Sequence, residues 1–130
     1  DVIESRGLGD VYKRQSLVPP KFLFCLGNEN LNLKSFKLNS PLNVNFLAKS
    51  QLNLSNKFAG SLEKRWVNTK YKIANNKVPF FPESLGLLEA KVEKKVISGD
   101  HTIIICLITN CIKLNTKKPL IYYKSKYHTV

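Results

Sequence analysis

Leu88 to Val96 reads LEAKVEKKV, and beyond Ser98-Gly99-Asp100 the chain runs from His101 to Ile112 as HTIIICLITNCI. In the first run Leu88, Ala90, Val92 and Val96 alternate with Glu89, Lys91, Glu93 and Lys95, with Lys94 the one charged residue on the apolar side. Alternation with a period of two marks a strand with one buried face. A Gly-Asp turn between two strand-like runs makes the pair an antiparallel hairpin. From Ile103 to Ile108 the second run is apolar at every position. Such a strand needs both faces covered, the outer one by a second subunit or by a helix or loop of the same chain.

Working outward, Lys21 to Leu26 (KFLFCL), after Pro19-Pro20, is a short aromatic strand expected to be buried on both faces. Gly27 to Asn30 is a turn, and Ser35 to Leu38 a short helical turn. Leu42 to Leu47 (LNVNFL) alternates, with Leu42, Val44 and Phe46 on one face and Asn43 and Asn45 on a polar face. Ser50 is placed to N-cap a helix over Gln51 to Ala59, with Leu54 and Phe58 sharing its buried side and Gly60 ending it. Ser61 to Trp66 reads as another helical turn and Tyr71 to Phe81 as a loop. Ile121 to Tyr123 begins the last strand. Few helices and antiparallel strands predict a mainly β fold, a small closed barrel carrying a helix.

The length of 130 residues fits one domain, and 43% hydrophobic with 23% charged residues is a globular balance. The apolar run Ile103 to Ile108 is too short to span a bilayer, so no membrane association is expected. There is no secretory signal, and the expected compartment is the cytoplasm. Cys25, Cys106 and Cys111 are odd in number and form no C-x-x-C pair, which argues against a disulfide scaffold or a zinc site; they read as buried, inert thiols. The net charge is +12, carried by Lys almost alone: Arg65 is the one Arg after residue 15. A nucleic-acid reader needs Arg for bidentate contacts. The charge is therefore read as a solvated surface whose field draws in anionic cofactors, with no nucleic acid as partner.

Ser5 to Gln15 (SRGLGDVYKRQ) resembles the translation of a transposon-type sequencing-library adapter. Residues 1–15 are therefore set apart from the native domain, which is read as 16–130. The leading segment is expected to pack against nothing specific, apart from pairing with a vacant sheet edge. Its three acids and three bases cancel, so the rest keeps the whole +12.

From Ser16 on, five motifs fall in one order. Ser16-Leu17-x-Pro19-Pro20 is followed by Val44-Asn45-x-Leu47 with Gln51 and Lys57-Phe58-Ala59. Leu88-Glu89, Gly99-Asp100-His101 and Pro119-Leu120-x-Tyr122…Tyr127 complete the series. In this series the chain resembles the flavin reductase-like family. The resemblance implies a split antiparallel β-barrel with one or two short helices, binding FMN or FAD in a homodimer. NADH or NADPH would be the co-substrate, and the reduced flavin would serve a partner monooxygenase. The alternatives are a flavin-binding oxygenase or electron carrier of the same family, and an inactive fragment. It further implies that His101 lies at the nicotinamide side of the flavin as the catalytic residue. Cofactor-binding roles fall to Ser16, Leu17, Asn45, Ser50, Gln51, Lys57, Lys126 and Tyr127. Asn45 would lie near the isoalloxazine, and the helix start at Ser50-Gln51, with Lys57, suits a phosphate. Three departures stand out: Ala90 where Cys is common, Cys106 where Gly is usual, and no counterpart of the family's first strands. On that last count the chain is expected to be a gene fragment, a poor flavin binder prone to associate.

Overall fold

The computed structural model describes residues 2–3, 19–123 and 126–128. In chain order the strands are β1 (Val2–Ile3), β2 (Lys21–Gly27), β3 (Pro41–Phe46), β4 (Lys72–Ile73), β5 (Pro79–Phe80), β6 (Gly86–Ser98), β7 (His101–Lys113), β8 (Ile121–Tyr123) and β9 (Lys126–His128). Among the described residues the α-helix is α1, Leu52–Ala59. The hairpin β6–β7 is the spine, closed by a two-residue turn in which Gly99 takes φ +61°. That backbone suits Gly at the first loop position, where a Cβ would be strained. β2 pairs antiparallel with β7, β3 antiparallel with β6, and β1 parallel with the far edge of β3, giving the order β1-β3-β6-β7-β2.

Phe22 of β2, Leu42 and Val44 of β3, Val92 of β6, and Ile104 and Cys106 of β7 meet on the concave face as fully buried side chains. Phe36 closes this core, its ring edge-on to Phe24 at 5.2 Å. Two bulges bend the spine. Thr109 is extra on β7 between the pairs Ala90↔Ile108 and Glu89↔Asn110, and Glu93 is extra on β6 between Val92↔Cys106 and Lys94↔Ile105. Bulges raise local twist and curl a sheet. The result is a curled antiparallel half-barrel of the split type, not the closed barrel expected from the strand pattern. Among the described residues nothing pairs the free edge of β2 with the β1–β3 edge.

The bulge at Glu93 explains the irregular Lys94. Past it the alternation changes side, so Lys94 and Val96 lie opposite Ile105 and Ile103 on the outer face. Val96 is therefore exposed rather than inward-facing. Glu93 itself turns to Lys21, Oε1 to Nζ at 2.7 Å.

Four further expectations are corrected. Asn43, Asn45 and Glu89 do not face water: they are 0, 0 and 2% exposed, under the segment that follows β4. That segment is not a plain loop, because β4 and β5 pair as a small hairpin. Ser50 is not an N-cap: a 3-10 turn over Lys49–Gln51, flanked by Ala48, leads into α1. Cys25 and Cys111 are exposed, and only Cys106 is buried. In the leading segment Val2 and Ile3 lie along β3, opposite Asn43 and Val44, as a vacant edge recruits a strand.

Burial pushes the Cys106 thiol up to about 12, with the Glu93 carboxylate adding to the effect. It stays protonated, and a protonated thiol is a poor nucleophile. Iodoacetamide at pH 8 should alkylate Cys111 in the native protein and spare Cys106 until denaturant is added. Mass spectrometry of the peptides checks this; modification of native Cys106 at the rate of Cys111 would contradict the fold.

Candidate functional site

The register Asn43↔Glu89↔Asn110 sets three polar residues in a row across β3, β6 and β7, with Asn45 two residues along. Buried polar groups need partners, and the segment over them supplies most. The Asn43 amide donates to the carbonyls of Val78 (3.1 Å) and Pro79 (3.3 Å). The Phe81 N–H donates to Asn45 Oδ1 at 2.9 Å. Phe81 is thereby delivered beneath a cleft of about 360 Å³, between the start of α1, the 68–70 segment and Phe81-Pro82-Glu83.

The cleft's near wall depends on Gln51. Its Oε1 accepts the Ala48 N–H at 2.7 Å and its Nε2 donates to Ser84 Oγ at 3.2 Å, tying the helix approach to the segment after Phe81. The far wall depends on Lys57. Its ammonium donates to the Val67 carbonyl and, at 2.7 Å, to Thr69 Oγ1; that hydroxyl donates in turn to the Arg65 carbonyl at 2.6 Å. Phe81 gives the floor an aromatic ring, and a cluster of rings backs it. Phe58 meets Phe81 and Trp66 edge-on, both at 5.1 Å, and Trp66 meets Tyr71 at 5.3 Å. Lys57 and Lys70 against the single carboxylate of Glu83 leave the lining net cationic.

Of the residues singled out in the sequence, Ser50, Gln51 and Lys57 line this one cleft. Asn45 lies below it, fully buried, with no hydrogen-bond partner for Nδ2 among the described residues. Ser16 and Leu17 lie outside the described residues. Lys126 and Tyr127 stand on β9, opposite Tyr123 and Tyr122 of β8. The approach to β8 runs beside the start of α1, through the bridge Ala48↔Pro119 and the bond from Lys49 N–H to the Lys118 carbonyl at 2.8 Å.

His101 is elsewhere. It begins β7, paired with Ser98 and Gly27, whereas the cleft adjoins the Gly86↔Lys113 end of the same hairpin. Twelve residue steps separate the two ends, roughly 40 Å along an extended strand. His101 is exposed and its Nδ1 lies 2.8 Å from Asp100 Oδ1, which holds the Asp100 carboxyl below its usual range.

Thr69, Lys70, Trp66 and Phe81 were not singled out from the sequence as site residues. Their one local signal is aromatics set among lysines from Lys64 to Lys72. Against a flavin's chemistry the cleft offers the Phe81 ring and a cationic wall for a phosphate, and below it lies the buried Asn45 amide N–H, which has no partner among the described residues. These fit a phosphorylated heteroaromatic ring of pocket size.

A fold of this kind with such a cleft defines a class. Residues 15–130 match the flavin reductase like domain, and the chain belongs to that family. It is 28% identical over 112 residues to the FMN reductase (NADH) RutF of Pseudomonas syringae, covering 85% of this chain and 63% of that protein. It is 30% identical over 94 residues to a probable flavin reductase of Rhizobium meliloti, covering 72% of this chain and 30% of the relative. The chain thus spans less than two thirds of the length of these relatives. Among solved structures, the flavin reductase PheA2 in its native state superposes with a TM-score of 0.75 at 29% identity, covering 86% of this chain and 71% of that one. The flavin reductase HpaC complexed with NADP+ gives 0.76 at 26% identity, covering 86% and 72%.

Gln51→Ala should lower stability by about 1–3 kcal/mol, since it leaves the buried Ala48 N–H without an acceptor. Urea unfolding followed by Trp66 fluorescence measures it. A loss under about 0.5 kcal/mol, the range of an unimportant surface change, would show that Gln51 does not hold this wall.

Proposed function

We propose that the chain is part of an NAD(P)H-dependent flavin reductase, taking FMN or FAD and passing the reduced flavin to a partner monooxygenase. The observation that carries the reading is the cationic, aromatic-floored cleft built by Gln51, Lys57 and Phe81 in a chain of this family. The names of relatives favour NADH and FMN among the options, as in the NADH:FMN oxidoreductase of Rhodococcus erythropolis. Three free cysteines suit a reducing compartment such as the cytoplasm.

When bound, a flavin supplies the electron chemistry itself, and the protein binds, orients and excludes water. In this reading Lys57 and Lys70 attract the phosphate, Phe81 backs the ring plane, and Asn45 Nδ2 is the donor kept for a ring acceptor. Ser16, Leu17, Lys126 and Tyr127 are proposed to complete the cofactor's surroundings.

His101 needs a second copy. Leu23 and Cys25 of β2 lie opposite Ile105 and Ile103 of β7, with Leu107 further along, forming an apolar outer face edged by Lys21, Lys91 and Lys94. Those three β7 side chains are only half-buried in the single chain. We propose that this face joins two chains, and that His101 of one orients the nicotinamide at the site of the other.

Two measurements test these roles. Added FMN should make the protein oxidise NADH saturably, seen as loss of the reduced nicotinamide's near-ultraviolet absorbance; FMN binding without NADH oxidation would leave an electron carrier instead. In stopped flow, His101→Ala should slow reduction of bound flavin by about two- to twelvefold, one hydrogen bond's worth, at unchanged flavin affinity. Equal rates at equal loading would remove His101 from the site.

The interface has its own check. Ile105→Lys should convert a dimer into a monomer by light scattering and expose Cys25 to faster alkylation. A wild-type chain that is already monomeric at micromolar concentration would overturn the shared face.

A further inference from the structure

Glu89 is 2% exposed, and among the described residues it has no cationic partner. Its carboxylate is held by amides alone. Oε1 accepts the backbone N–H of Asn76 at 3.0 Å, and Oε2 accepts the side-chain amide of Asn110 at 2.9 Å. An ionised group buried without a counter-charge is costly unless hydrogen bonds replace its water, so its presence calls for a reason.

From Glu89 the contacts lead along the 76–81 segment. Asn76, fixed by Glu89, donates its side-chain amide to Asn43 Oδ1 at 2.7 Å and to the Leu42 carbonyl at 3.3 Å. Asn43 then holds the Val78 and Pro79 carbonyls, and Asn45 holds the Phe81 N–H. Residues 76 to 81 thus form a strap fastened over the sheet. Its far end is Phe81, the floor of the cleft.

We propose that Glu89 is a positioning residue for ligand binding: it clamps the 76–81 strap and, through it, sets Phe81 in the cleft. The flavin arm of the test rests on the function proposed above.

The chemistry asks for a carboxylate in particular. Both partners are donors, and a carboxylate is the common side chain that only accepts. A glutamine side chain at this position keeps the shape but must present its NH2 to one of them. The Asn76 backbone N–H cannot turn away, and Asn110 Oδ1 already accepts the Cys111 N–H at 3.0 Å. Glu89→Gln therefore sets donor against donor. Adding Asn110→Asp restores the match. The carboxylate it introduces accepts from the new amide at position 89, whose carbonyl oxygen keeps the Asn76 N–H.

The test compares the 130-residue wild type, E89Q, N110A and E89Q/N110D. Trp66, the sole Trp, lies 5.9 Å from the Phe81 ring and reports the strap. E89Q should shift Trp66 emission and weaken FMN binding by about tenfold or more, a charged hydrogen bond's loss, while the β-sheet circular dichroism stays. N110A should do the same more weakly, and E89Q/N110D should recover both emission and affinity. Unchanged emission and affinity in E89Q, or no recovery in the double variant, would overturn the proposal. If E89Q does not fold, hydrogen exchange of the wild type decides. The Asn76 and Phe81 amides should be protected like those of β6 and β7, and exchange as fast as at Lys70 would refute the clamp. Should the wild type bind FMN too weakly to compare, as expected of a fragment, the functional reading is judged by the NADH oxidation above, and the emission and exchange results judge the clamp.

Discussion

A polar face that folds inside the protein must have its hydrogen bonds made there, and the rest of this molecule is arranged around that demand. Asn43, Asn45 and Glu89 occupy positions that an isolated hairpin would turn to water. Covering them creates several buried donors and acceptors, each costing about 1–3 kcal/mol if left alone. The 76–81 strap answers most of them, with its own backbone N–H and C=O groups and the Asn76 amide. Because those groups are spaced along an irregular segment, satisfying them fixes the segment's path. The path ends at Phe81, so the position of the cleft floor follows from hydrogen bonds made on the polar face of the sheet. The amide of Asn45 is the group left over, a buried donor with no acceptor among the described residues.

The two bulges divide the labour of the long hairpin. Beyond Thr109 toward Lys113, the sheet turns Glu89 and Asn110 to the strap and supports the cleft. Beyond Glu93 toward the turn, the same strands turn Lys94, Val96, Ile103 and Ile105 to one outer face. A flat sheet would have given both ends the same face and the same neighbours. Curling lets one pair of strands serve a polar strap at one end and an apolar surface at the other. The long lysine stems beside Ile105 and Leu107 shelter part of that surface while their charges stay in water.

What the sequence revealed and what it hid divide along locality. The hairpin β6–β7 was legible because alternation, a Gly-Asp turn and a β-branched run are local signals, and so was most of α1. The helix start was misplaced because the decisive bond, Gln51 Oε1 to the Ala48 N–H, uses a side chain ordinarily read as a helix former. Glu89 looked like a solvated strand residue because its neighbours in the alternation, Lys91 and Glu93, are. Only the fold shows that a segment 13 residues upstream returns over it. The motif residues Gln51 and Lys57 did converge with Ser50 on one cleft. His101, assigned to the same site by motif order, stands at the other end of the spine.

Lys57 illustrates how such a site divides structure from binding. Read alone it was a point charge awaiting a phosphate. In the fold its ammonium already donates to the Val67 carbonyl and to Thr69 Oγ1, so it fastens the 65–69 turn to α1. An ammonium so held cannot swing away from the cleft as a free lysine can. The entropy of fixing a long side chain, on the order of 2 kcal/mol for Lys, is lost during folding rather than on binding. Lys70, exposed on the same wall, is left to meet an incoming anion. One lysine anchors the wall and gives it a fixed positive field, while the other stays exposed on the same wall, so part of the positive charge of a strongly basic chain is set in place by geometry.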